Sequence, residues 1–263
     1  MAPDHLGNLE TLVRSDPTSL KSIEEATSTG LANFKRTVKM GFDNTVTVLK
    51  ADNDVRYILP GTHKLSDVVS SSLDSLPFLT PRYTEIQGIK WVSNMKTGKG
   101  SLQFPPNFNV ASKIEVETGS NVFVGYYGCS ITNTRNDDNV TLGMRHSICD
   151  FSYSENYLQE WVLNKNGNNG AGIERHNFSH VDIPKVRESG LMLLGKFKDE
   201  DETILHLTFF HMPQGHCLFI PGGTIHTNDY LKGTWRTMLS DEAPIDYCYL
   251  EQGDVRFHFH FDP

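Results

Sequence analysis

The residues best suited to chemistry begin with His226, which closes the segment Gly215-His216-Cys217-Leu218-Phe219-Ile220-Pro221-Gly222-Gly223-Thr224-Ile225-His226. A glycine turn leads into an apolar run, and a proline with paired glycines makes a tight corner. The next strand then opens on an imidazole. One imidazole cannot hold a metal, so further ligands are needed. His180-Val181-Asp182 offers them, because alternate residues of a strand project to the same side and present one imidazole and one carboxylate together. His180, Asp182 and His226 would form a two-histidine, one-carboxylate facial triad. That set leaves positions open on iron(II), with Mn(II), Ni(II) or Zn(II) as alternatives. His176, four residues before His180, is a spare ligand. The bland alternatives are a corner that only turns the chain and an H-x-D triplet on the surface.

The 215–226 segment resembles the second cupin motif, G-x5-P-x-G-x2-H, and also the Jumonji C strand that ends in a proline corner followed by a histidine. The resemblance implies a mainly β fold, a double-stranded β-helix or jelly-roll barrel, carrying a metal. Arg236 follows His226 in Lys232-Gly233-Thr234-Trp235-Arg236-Thr237. A guanidinium can bind the distal carboxylate of 2-oxoglutarate through two parallel hydrogen bonds, with Thr227 or Thr237 assisting. The order H-x-D, H, Arg is similar to that of the Fe(II)/2-oxoglutarate oxygenase superfamily. It implies hydroxylation or demethylation of a small-molecule or protein substrate, with 2-oxoglutarate as co-substrate. Pairing of Arg236 with Asp241 or Glu242 is the structural alternative.

A second register competes. Residues 114–124, with the Thr118-Gly119 turn, resemble the Jumonji C strand pair that follows the first metal motif. Where that motif would stand, the chain reads Gln103-Phe104-Pro105-Pro106, without histidine or acid. In this register only His226 survives and the barrel is a catalytically silent binding protein. A cupin enzyme using its metal as a Lewis acid without a co-substrate is the third reading.

Other motifs carry less. His206 and His211 differ by five and face opposite sides of a regular strand, and His216 lies just beyond. His258-Phe259-His260 reads as the polar face of a strand near the chain end. Thr97-Gly98-Lys99-Gly100 lacks the earlier glycine and the Ser or Thr of a phosphate cradle. Cys129, Cys149, Cys217 and Cys248 form no CxxC pair, which favours reduced thiols in a cytoplasmic or nuclear protein.

The elements that must position these residues are mostly strands. At 263 residues, a single domain is expected, with a helical flank over 1–43 and a β-barrel core over 44–263. Short β-rich runs recur over 114–127 (two runs about a turn), 191–197, 203–210, 217–220, 235–239 and 255–261. Helices are expected over 63–73 and 155–163, and the Asn- and Gly-rich stretch 166–172 reads as a mobile loop. A net charge of −8 argues against nucleic acid as the main partner, no stretch is apolar enough for a membrane span, and a homodimer is compatible with the rest.

Overall fold

The computed structural model describes residues 49–51, 56–58, 61–64, 79–94, 99–133, 139–142, 144, 146–240 and 243–262. The expected helical flank over 1–43 lies outside them, as does most of the helix expected over 63–73. His63 and Lys64, its first residues, belong to the strand Gly61–Lys64.

The described chain is mainly β and forms two large sheets. In the first, strands run in the order Leu49–Ala51, His146–Tyr153, Gly233–Leu239, His180–Pro184, His216–Ile220 and Ser130–Asn133, with Arg56–Ile58 also pairing to His146–Tyr153. In the second the order is Thr84–Gln87, Ile204–His211, Met192–Phe197, Ile225–Thr227, Gly172–Arg175, Asp246–Gln252, Gly100–Gln103 and Lys90–Val92. From His146–Tyr153 to Asp246–Gln252 consecutive strands alternate between the two sheets, except for the hairpin of Met192–Phe197 and Ile204–His211, which stays in the second. His180–Pro184 and His216–Ile220 lie in the first, whereas Gly172–Arg175 and Ile225–Thr227 lie in the second. The sheets bury an apolar core that includes Ile173, Leu193, Leu194, Leu218 and Trp235, each fully buried. Sequestering such side chains from water is the main drive for closing two sheets on one another.

Several expected strands are present, as Met192–Phe197, Ile204–His211, His216–Ile220 and Gly233–Leu239. Two expectations need correction. Only Val116–Thr118 of the 114–127 region is a strand, and after Gly119 the chain coils into short helical turns over Asn121–Val124 and Gly125–Tyr127. The Ser120 carbonyl accepts from the amides of both Phe123 and Val124, so local hydrogen bonding overrides the β propensity of Val122-Phe123-Val124. At the C-terminus only Val255–Arg256 is a strand. His258 and His260 lie beyond it, joined to the fold through a bridge between Lys113 and His260.

The 166–172 stretch is pinned rather than mobile. Asn168 is 7% exposed, its Nδ2 donating to the Gly170 carbonyl and the Tyr247 hydroxyl, while the Gly170 amide donates to the Val162 carbonyl. A Cβ on Gly167 would fall 2.2 Å from the Trp161 carbonyl, so glycine there permits close packing. The helix expected over 155–163 is one wide turn, Leu158–Val162.

Candidate metal centre

Each sheet contributes half of the site. On the second, Glu174 and His226 are directly opposed across the antiparallel pair of Gly172–Arg175 with Ile225–Thr227. His176 follows just past the end of the first of these strands, with its backbone turned toward the proline-glycine corner. The Gly223 amide donates to the His176 carbonyl at 2.6 Å, and a Cβ on Gly222 would come 2.6 Å from the Asn177 oxygen. Gly223 adopts φ +88°, a conformation that disfavours side chains. The corner therefore turns the chain into the His226 strand and also fastens the segment bearing His176.

On the first sheet, His180 and Asp182 occupy one face of His180–Pro184, as their spacing requires. Thr237, opposite Asp182 on Gly233–Leu239, donates its hydroxyl to Asp182 Oδ1 at 2.7 Å. Asp182 Oδ2 lies 3.3 Å from His180 Nδ1, close but misaligned for a hydrogen bond.

The three imidazoles meet between the sheets. Ring centroids are 5.6 Å apart for His176 and His180, 4.9 Å for His176 and His226, and 5.2 Å for His180 and His226. One nitrogen from each falls within 4.8 Å of the others, and all three side chains are buried. Their tautomers follow from their neighbours. The Nδ1 of His176 lies 2.8 Å from the Phe178 carbonyl and that of His226 lies 3.1 Å from the Thr224 carbonyl; since a carbonyl only accepts, both Nδ1 atoms carry the proton. Each Nε2 is then a lone pair. Burial pushes the pKa values of His176 and His226 down to about 3 and that of His180 well below its ordinary value, so the cluster is electrically neutral.

The acids respond in the opposite direction. Burial, reinforced by Asp229 and Asp182, raises Glu174 to about 8. Burial raises Asp182 to about 7, with the Thr237 hydroxyl opposing it, and raises Asp229 to about 6 against bonds from Gly172, Tyr247 and Thr227.

Among the residues singled out by sequence, His180 and His226 come together, whereas Asp182 stands beside His180 and is not one of the three side chains whose ligand atoms meet. His176, the spare ligand, completes the trio. Thr227 lines the adjoining cavity and its Oγ1 accepts from the Asp229 amide. Arg236 is elsewhere. It neighbours Thr237 on the same strand, so it projects from the opposite face of the sheet, where Nε and Nη2 donate to the two oxygens of Asp150 at 2.7 and 3.2 Å. The alternative register is not assembled either, because Phe104 packs against Phe108 and Phe257 while Gln103 pairs with Glu251.

Sequence reasoning passed over Glu174. Glu174-Arg175-His176 has the same alternate spacing that marked His180-Val181-Asp182, and applying that test once more would have found it. His146, also buried, contacts the Ser179 carbonyl through Nε2 at 2.8 Å, next to His180. No feature of its sequence neighbourhood indicates that role. No protein-family model matches the chain, and no curated protein matches it.

Proposed function

We propose that this protein is a metal-dependent enzyme of cupin type, holding one divalent first-row metal through His176, His180 and His226, with Glu174 as an additional ligand. One observation carries the reading. The Nε2 of His226 and Oε1 of Glu174 are 3.4 Å apart, and because the imidazole proton is committed to Thr224 the two face each other as acceptors whenever Glu174 is ionised. Among the described residues, neither nitrogen of His180 has a hydrogen-bond partner, nor does His226 Nε2 or Asp182 Oδ2. Burying several lone pairs face to face costs free energy unless a cation joins them, and a metal satisfies them all at once. Three neutral imidazoles with a carboxylate suit Zn, Fe, Ni or Mn. The alternation of strands between two sheets supports a double-stranded β-helix as the underlying fold.

A bound ion here would supply Lewis acidity. The chain's own residues do the rest. Thr237 holds Asp182 beside His180, and the Gly222-Gly223 corner holds the segments bearing His176 and His226.

The reading without an oxo-acid co-substrate is the better supported, because Arg236 is engaged with Asp150 on the outer face. A 2-oxoglutarate oxygenase would need another cation for the distal carboxylate. Metal analysis of the purified protein provides the test. About one equivalent of a first-row metal is expected in wild type and little in His226→Ala, whereas equal metal content in both would reject the assignment.

A further inference from the structure

A cavity of about 60 Å³ adjoins the imidazoles. On the scale of one water-sized sphere per 10–15 Å³, it accommodates roughly four to six heavy atoms. Tyr153, Tyr157 and Trp161 supply aromatic walls, with the Tyr153 and Tyr157 rings edge to face at 5.1 Å. Glu174 and Asp229 supply carboxylates, and Tyr247 a phenol. His180, 2% exposed with neither nitrogen hydrogen-bonded, forms part of the same wall. Among the described residues, no lysine or arginine lines this space.

The charge balance is one-sided. Glu174 is within electrostatic reach of Asp182 and Asp229. Asp229 and Glu174 are the acids of the lining, and the imidazoles add no positive charge to oppose them. An entering anion would meet acceptors without a counter-charge, whereas a cation would meet carboxylates and the negative faces of aromatic rings. Asp229 is fixed for such a role, because its Oδ2 accepts from the Gly172 amide at 2.8 Å and the Tyr247 hydroxyl at 3.1 Å.

We infer that the cavity binds a small organic cation, a primary amine or short alkylammonium, with its carbon chain against Tyr153, Tyr157 and Trp161 and its charge toward Asp229. This rests on the metal-centre reading only for which end of the cavity holds the reacting group. The ligand preference follows from the walls themselves.

Propylammonium, 1-propanol and propionate are nearly matched in size and differ in charge, so calorimetric titration of each into chelator-treated protein, where no metal can take up the carboxylate, reads the preference directly. Propylammonium should bind at least tenfold more tightly than 1-propanol, and propionate should not bind. Asp229→Asn should lose about tenfold in propylammonium affinity. Tyr157→Leu, which keeps both carboxylates, should lose a comparable factor and gives the answer if Asp229→Asn does not fold. Propionate binding as well as propylammonium, no binding of any probe, or full amine affinity in both variants overturns the inference, even if the metal is present. Amine preference without metal binding would overturn the metal assignment and leave this inference standing.

Discussion

Glu174 and His226 oppose each other across two antiparallel strands, with the carboxylate Oε1 3.4 Å from the imidazole Nε2 and no proton on the facing side of the ring. A side chain that accepts is thus placed against another that accepts, in a site screened from water. Either a proton on Glu174 or a metal must mediate between them, and the first predictions follow from that competition.

In metal-free protein, folding keeps Glu174 protonated to about pH 8 and Asp182 to about 7, whereas in the unfolded chain both ionise near 4 to 5. The folded state therefore binds more protons than the unfolded state, and stability falls as pH rises toward 8. His176 and His226, depressed to about 3, act oppositely below about 6.5, where only the unfolded chain protonates them. From about pH 7 to 8 the acids outweigh the histidines, which are by then mostly neutral in both states. The melting temperature in chelator should decline across that window, and Glu174→Gln should flatten the decline. A rising melting temperature over the same range would contradict the assignment of Glu174 as a buried acid.

With metal, the trend should reverse. Ligation requires the ionised carboxylate, so apparent affinity should strengthen from pH 6.5 to 8 with net proton release, measurable by calorimetry in two buffers of different ionisation enthalpy. Binding that releases no protons would leave Glu174 outside the coordination sphere.

The ligand residues should separate by role. His176→Ala, His180→Ala and His226→Ala should each abolish metal-induced stabilisation, which reaches about 2.7 kcal/mol at a hundred times Kd in wild type. Asp182→Asn should cost roughly 10–100-fold in metal affinity, as expected for a carboxylate that stands beside a ligating imidazole. If Asp182→Asn abolished binding while His176→Ala spared it, the two-histidine, one-carboxylate triad would be the correct ligand set.

Arg236→Ala should act on stability and not on the site. Its two bonds to Asp150 are lost, and Lys185 at 2.7 Å is left as the partner of that acid. A cost of about 1–3 kcal/mol by denaturant titration, with metal affinity unchanged, is expected. A large effect on 2-oxoglutarate binding would restore the oxygenase reading.

Gly222→Ala tests the corner. Its Cβ would lie 2.6 Å from the Asn177 oxygen and 2.7 Å from the Asn177 carbonyl carbon, so the corner or the His176 segment must shift. Metal affinity should fall along with stability. Wild-type affinity would show that the corner does not position His176.

The sequence by itself determined the local geometry. Alternation placed His180 and Asp182 on one face, and the Pro221-Gly222-Gly223 corner identified the strand that opens on His226, because such constraints act over a few residues. The same rule placed Arg236 opposite Thr237, although ligand-order reasoning had assigned it to the site. Only the tertiary structure decided which strands share a sheet. Glu174 meets His226 through the pairing of Gly172–Arg175 with Ile225–Thr227, while His180 arrives from the other sheet. Long-range pairing of this kind is set by burial of the whole inner face. No short window records it, and a side chain such as Glu174 therefore becomes part of a site only when two distant strands are brought together.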